Sequence, residues 1–223
     1  MYKRQALDAA YYRNNAIHFL FTGAIADLAL AKLYIDGCGD NPLQELESEV
    51  LQLRKLFQWE FFFPEKDEFL EGLYRDLDIR HSDWRALTGN GKEGLHQLFR
   101  ELSPLLGHGV LEPYLESYRI VAEQLSRQDS SEEFDQKAFI QDCINIGRQL
   151  HLQRQVVSAE SIAKFMFTTG LKVARSRGLL DISVSSAELG KRRQGHAGDM
   201  RAINRRVRAL RSLASARRSG IVS

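Results

Sequence analysis

The sequence has little of what would tie a chain together covalently or carry it through a bilayer. Two cysteines, Cys38 and Cys143, cannot supply a disulfide framework. A reducing compartment is the simpler expectation, with Cys143 as a small core residue. The most apolar stretch, Ala16 to Ile35, is interrupted by His18, Asp27 and Lys32. One Asp near the centre of a span costs about 3 kcal/mol on insertion. The stretch therefore reads as a core or interfacial helix rather than a membrane span. Met1 to Ala10 is polar, so no secretory signal is expected. There is no P-loop, no G-x-S-x-G elbow and no zinc-ligand spacing. No metal, no cofactor and no self-contained catalytic residue set is expected.

Helical periodicity is what the chain does have. Ile17, Leu20, Phe21, Ala24, Ile25 and Leu28 follow the i, i+3, i+4, i+7, i+8, i+11 template. After a break over Gly37 to Asn41, the Asn41-Pro42-x-Gln44 sequence predicts a helix start. Leu46, Val50, Leu53 and Phe57 form its stripe, and Pro64 ends it. Pro64 with Glu65, Asp67 and Glu68 predicts another N-terminus, because acids favour the positive end of the macrodipole. Further stripes run through Leu111, Tyr114, Leu115, Tyr118, Ala122 and Leu125; through Phe139, Cys143, Ile146 and Leu150; and through Ile162, Phe165, Met166 and Val173. Ser130 and Glu133 fit a capping box. Leu77 to Gly94 is the least helical segment, and Gly89-Asn90-Gly91 suits a small β-hairpin there. The expected fold is all-α, a bundle-like body over residues 1–180. A polar linker over 181–199 and a basic tail helix over 200–223 follow it.

Charge is uneven. Ten Lys/Arg against Glu188 and Asp199 give +8 from Ala187 to Ser223, so the rest of a +2 chain carries −6. In the tail, Met200, Ile203, Val207, Leu210 and Ala214 repeat at three and four, with Arg201, Arg205, Arg208 and Arg211 between them. Such a helix can lie in an anionic headgroup layer, grip phosphates of a nucleic acid, or be a solvated tail. No aromatic residue interleaves the arginines, so single-stranded nucleic acid is disfavoured.

A His can take a hydroxyl proton and an Asp can orient it, and in acyltransferases of the glycerolipid type the Asp stands five residues after the His. Five residues beyond the six histidines stand Gly23, Ala86, Glu101, Pro113, Val156 and Arg201. Only His96 and Glu101 come close, and on one helix they diverge by about 140°. Gly89 to Gly94 matches G-x-G-x-x-G, but no alternation of strands and helices surrounds it.

The first stripe opens with Tyr11-Tyr12-Arg13-Asn14-Asn15-Ala16-Ile17-His18. This resembles the Tyr-Tyr-x-Asn-x-x-x-His segment that opens the C-terminal region of membrane-bound glycerol-3-phosphate acyltransferases. Tyr11, Tyr12, Asn14 and His18 match it position by position. The later order is also similar, from the Phe57 to Phe63 aromatic cluster to the helix start at Leu111-Glu112-Pro113-Tyr114. The likeness runs over about residues 6 to 180. It implies an all-α partner of an N-terminal acyltransferase domain, in the same or a separate chain. That enzyme moves an acyl group from acyl-CoA or acyl-carrier protein to the sn-1 hydroxyl of glycerol 3-phosphate, for phospholipid synthesis. The resemblance implies that the catalytic His and Asp lie in that domain, and it implies a peripheral place on the cytoplasmic face of a membrane. Tyr11, Asn14 and His18 are spaced i, i+3, i+7 along one helix edge. They either form an internal hydrogen-bond cluster or meet the catalytic domain. The competing expectation is a stand-alone helical adaptor that binds protein or nucleic acid through its tail.

Overall fold

The computed structural model describes residues 20–129 and 134–220, and among these every regular element is a helix. Helix α1 covers residues 20–36 and buries Phe21, Ala24, Ile25 and Leu28 of the expected stripe, but Leu20 is 41% exposed, and Ala26, Asp27, Ala29 and Leu30 are buried too, so it is covered on more than one face. Asn41 caps α2 (Pro42–Leu56) by accepting from the Gln44 N–H at 3.3 Å, and Pro42 takes the first turn. Leu46, Val50 and Leu53 are buried along it, with Phe57 directly after. Helix α3 (Lys66–Arg80) carries Asp67 and Glu68 in its first turn and buries Phe69, Leu73 and Leu77.

No hairpin forms around Gly89-Asn90-Gly91. The segment is two short helices, α4 (Trp84–Gly89) and α5 (Gly91–Glu101). Gly91 takes the left-handed φ of +65° that turns the chain. Gly94 lets the two helices close: a Cβ there would stand 1.9 Å from the Leu87 carbonyl oxygen. Leu95, Leu98 and Phe99 then face inward at helical spacing.

Helix α6 (Gly107–Arg127) starts ahead of Leu111 and contains Pro113. Asp135 caps α7 (Gln136–Leu152), accepting from the Lys137 and Ala138 N–H groups. The expected Ser130–Glu133 box lies outside the described residues. A 3-10 turn (Ala159–Ile162) leads to α8 (Lys164–Ser176). Phe165 departs from its expected stripe and is 65% exposed, while Met166 and Val173 are buried.

The expected linker over 181–199 is helical from Ser186 onward. One helix, α9 (Ser186–Arg218), replaces both linker and separate tail. It is buried along Leu189, Arg193, Ala197, Met200, Asn204, Val207 and Leu210, a stripe at spacings of three and four. The buried polar members find backbone carbonyls. Arg193 donates to Leu179 O at 2.9 Å, and Asn204 donates to Leu115 O at 2.9 Å. Packing compensates for the three glycines that make this segment read as a loop.

The chain divides into two compact units. Among the described residues, one comprises 20–111 together with 206–220, and the other lies within Glu112–Arg205. The second unit has a core of Ile120, Val121, Leu125, Phe139, Cys143 and Phe167 among others. Burial pushes the Cys143 thiol up to about 12, so it behaves as a small apolar residue.

Candidate functional site

The most concentrated chemistry of the first unit surrounds Asp27, the acid that interrupts the apolar run of α1. Its side chain is fully buried. The Arg80 guanidinium, from the last turn of α3, reaches one oxygen at 2.5 Å. The other oxygen accepts the backbone N–H groups of Leu106 and Gly107, at 2.5 and 3.0 Å. Those two N–H groups belong to the start of α6, so Asp27 caps that helix from a distant part of the sequence. Gly107 permits the approach, since a Cβ there would lie 3.2 Å from Asp27 Cβ and 3.3 Å from Ala24 O. Arg80 also donates to Asp76, to Gly23 O and to Pro104 O. Burial raises the Asp27 carboxyl above its ordinary value, opposed by the Arg80 charge and these hydrogen bonds.

A second buried charge is Arg206 of α9. It donates to Glu49 at 2.9 Å and to Asp36 at 2.5 Å, and Lys32 holds the other Glu49 oxygen at 2.5 Å. In the second unit, Glu116 is 1% exposed and accepts from Val157 N, Ser158 N and the Ser161 hydroxyl. Each of these groups fixes a turn or helix end to another element. The one hydroxyl beside a carboxylate, Ser161 on Glu116, is fully buried and closed to a substrate.

Three of the described histidines, His81, His151 and His196, hydrogen-bond within the protein, while the buried Nδ1 of His108 has no partner. Asp83 N donates to His81 Nδ1 at 3.3 Å, so Nε2 carries the proton and donates to Glu101 at 2.7 Å. Glu101 thus pairs with His81 rather than with His96. The bond from His81, then that from Gln97, holds its carboxyl below the ordinary value. With both ring nitrogens occupied, His81 has none left to take a substrate proton. His96 stacks near Tyr34 at 6.2 Å between centroids. His196 is buried and accepts from Arg177 at Nδ1. Burial and then the Arg218 and Arg211 charges push His108 down. Among the described residues, no group of three His, Cys, Asp or Glu side chains could hold a metal.

Tyr11, Tyr12, Asn14 and His18 lie outside the described residues. Arg201, Arg205 and Arg208 are exposed and Arg211 is half-buried, all on α9. The apolar stripe between them is not available to lipid: Met200, Val207 and Leu210 are 0%, 1% and 2% exposed. Among the described residues no helix is long and apolar enough to cross a membrane. Sequence reasoning missed Asp27, Arg80, Glu116 and Arg206. An acid at the centre of an apolar run was the one available signal, and it pointed to Asp27.

Residues 1–183 match the family described as the glycerol-3-phosphate acyltransferase C-terminal region. The protein named putative acyltransferase plsB1 of Mycobacterium bovis is 35% identical over 211 residues, covering 94% of this chain and 34% of that protein. A relative of the same name in Mycobacterium tuberculosis H37Rv matches with the same figures. The chain spans about a third of the length of these curated relatives. No solved structure matches. The family match and the identity along 94% of the chain agree, and the chain belongs to the glycerol-3-phosphate acyltransferase C-terminal region family.

Proposed function

We propose that this chain is the helical, non-catalytic part of a glycerol-3-phosphate acyltransferase. It works beside an N-terminal acyltransferase domain, in the same or a separate chain. The reaction is acyl transfer from acyl-CoA or acyl-carrier protein to the sn-1 hydroxyl of glycerol 3-phosphate. The observation that carries the reading is the family match over residues 1–183. The occupied nitrogens of His81 support the assignment of the chemistry to another domain. An assay of the purified chain with glycerol 3-phosphate and palmitoyl-CoA is expected to give no turnover above buffer. Adding a catalytic domain that carries the His/Asp motif is expected to give turnover that depends on both parts. Robust turnover by the chain alone, lost on His96→Ala or His81→Ala, would overturn the reading.

The same reading puts the chain peripherally at the cytoplasmic face of a membrane. Because the apolar stripe of α9 is packed internally, the attraction to lipid is electrostatic, through exposed arginines. Arg201→Gln with Arg205→Gln is expected to weaken co-sedimentation with phosphatidylserine-containing vesicles about thirtyfold, at roughly 1 kcal/mol per charge. The effect fades as salt rises, and helicity is the same with and without vesicles. Equal sedimentation of parent and variant at low salt counts against lipid contact through these residues.

A further inference from the structure

The aromatic run after α2 leaves a feature that acyl transfer does not use. Phe21 packs against Phe61 at 3.8 Å and Phe57 at 5.3 Å between ring centroids, and Phe63 meets Phe69 edge-on at 5.3 Å. The Arg54 guanidinium lies 5.4 Å from the Phe63 ring and donates to Pro64 O at 2.6 Å, which holds the turn. Phe21, Phe61, Phe63 and Phe69 wall a cleft of about 130 Å³, which Gly72 of α3 also lines. Dry apolar cavities of roughly 150 Å³ hold a benzene, so this cleft has room for one apolar side chain. Phe62, which lines it, is 89% exposed, and Trp59, three residues earlier in the chain, is 48% exposed. Large apolar groups left in water beside a preformed pocket mark a contact surface.

Charge selects what makes that contact. Around Glu68 in the sequence stand Glu65, Asp67 and Glu71, exposed like it, against the exposed Lys66. Glu68 itself lines the cleft. This rim repels an anionic lipid surface and attracts a cation. We propose that the cleft docks a basic polypeptide segment of a partner protein. One apolar side chain of that segment fills the cleft, and flanking Lys or Arg residues meet Glu68 and its neighbours. The site is independent of the acyl-transfer reading, and a partner domain of the same enzyme is one protein that could present such a segment.

The test uses fluorescence anisotropy with the whole chain and three labelled synthetic peptides. One has a central Leu between Lys/Arg flanks, one has Ser in place of that Leu, and one has Glu flanks. Gly72 supplies the blocking variant. A Cβ added there meets nothing within 4 Å, so Gly72→Leu can extend into the cleft without a clash and favours the helix it sits in. The basic Leu peptide is expected to bind saturably, and the other two peptides about tenfold or more weaker, as an anchor and its rim charges predict. Gly72→Leu, and separately Glu68→Lys with Glu71→Lys, is expected to lower affinity by about tenfold or more. The melting temperature of Gly72→Leu should be no lower than that of the parent. Absence of saturable binding, equal binding of all three peptides, or unchanged affinity in well-folded Gly72→Leu overturns the proposal. So does a gain in affinity on replacing Lys3, Arg4 and Arg13 with Ser, which would assign the cleft to the chain's own N-terminal segment.

Discussion

Asp27→Ala lowers the unfolding free energy by roughly 3–5 kcal/mol, the cost of leaving a buried charge without its partner. In a chain of this size that is a drop in melting temperature of about 10 °C. Two losses combine. Arg80, whose side chain is 5% exposed, loses its closest carboxylate. Leu106 N and Gly107 N lose the acceptor that caps α6. Asp76, 3.1 Å from Arg80, keeps part of the charge compensation, which argues for the lower half of the range. Asp27→Asn separates the two losses, because an amide oxygen still accepts a backbone N–H but carries no charge. It should fall between parent and Ala variant. Replacing the pair together, Asp27→Leu with Arg80→Met, should cost less than Asp27→Ala alone, since no buried charge is then stranded. Urea unfolding followed by circular dichroism measures all three. A loss below about 1 kcal/mol for Asp27→Ala would place this pair with exposed ion pairs instead.

The same residue shows where sequence reading stops. The helices were legible where one apolar face repeats locally. Leu46, Val50 and Leu53 are buried as their spacing predicts, and so are Leu111, Leu115, Tyr118 and Leu125. Local periodicity carries that information because a helix needs only neighbours three and four residues away. It does not say what a buried polar group is paired with. Asp27 meets Arg80 across 53 residues, and Glu49 meets Arg206 across 157. Read as a sequence, Asp27 merely spoiled a membrane span, and Arg206 was one arginine of a basic stripe. The stretch from Ser186 misled for a related reason. Arg193, His196 and Asn204 count as solvent-facing by type, yet in α9 they lie on the buried face, and Arg193 and Asn204 satisfy backbone carbonyls there. Gly89-Asn90-Gly91 signalled a turn correctly, but the elements on either side are helices, and Gly94 serves their close packing.

His196 provides the second large effect, and it is a dependence on pH. Its ring is buried, and its Nδ1 accepts from Arg177 at 3.0 Å. Asp199 is 3.9 Å from the same guanidinium. Protonation would remove the acceptor and set a second cation against Arg177. Burial, and then the Arg177 charge, accordingly push the imidazole down to about 4. In the unfolded chain the ring takes a proton near its ordinary value of about 6.5. Between those two values the unfolded state binds the extra proton, so stability rises with pH across that window. The contribution is fully present above about 6.5 and is lost as pH falls toward about 4. It amounts to roughly 3 kcal/mol, since each tenfold loss of proton affinity on folding is worth about 1.4 kcal/mol. His108, also held below its ordinary value, adds a slope of the same sign. The difference between the parent and His196→Gln, measured by urea unfolding at a series of pH values, isolates the His196 part. Gln offers Arg177 an acceptor that does not titrate. The parent should lose more stability than the variant between pH 7 and 4.5. Parallel curves for the two proteins over that range would mean that His196 keeps its ordinary affinity for protons and that Arg177 does not depend on its neutral form.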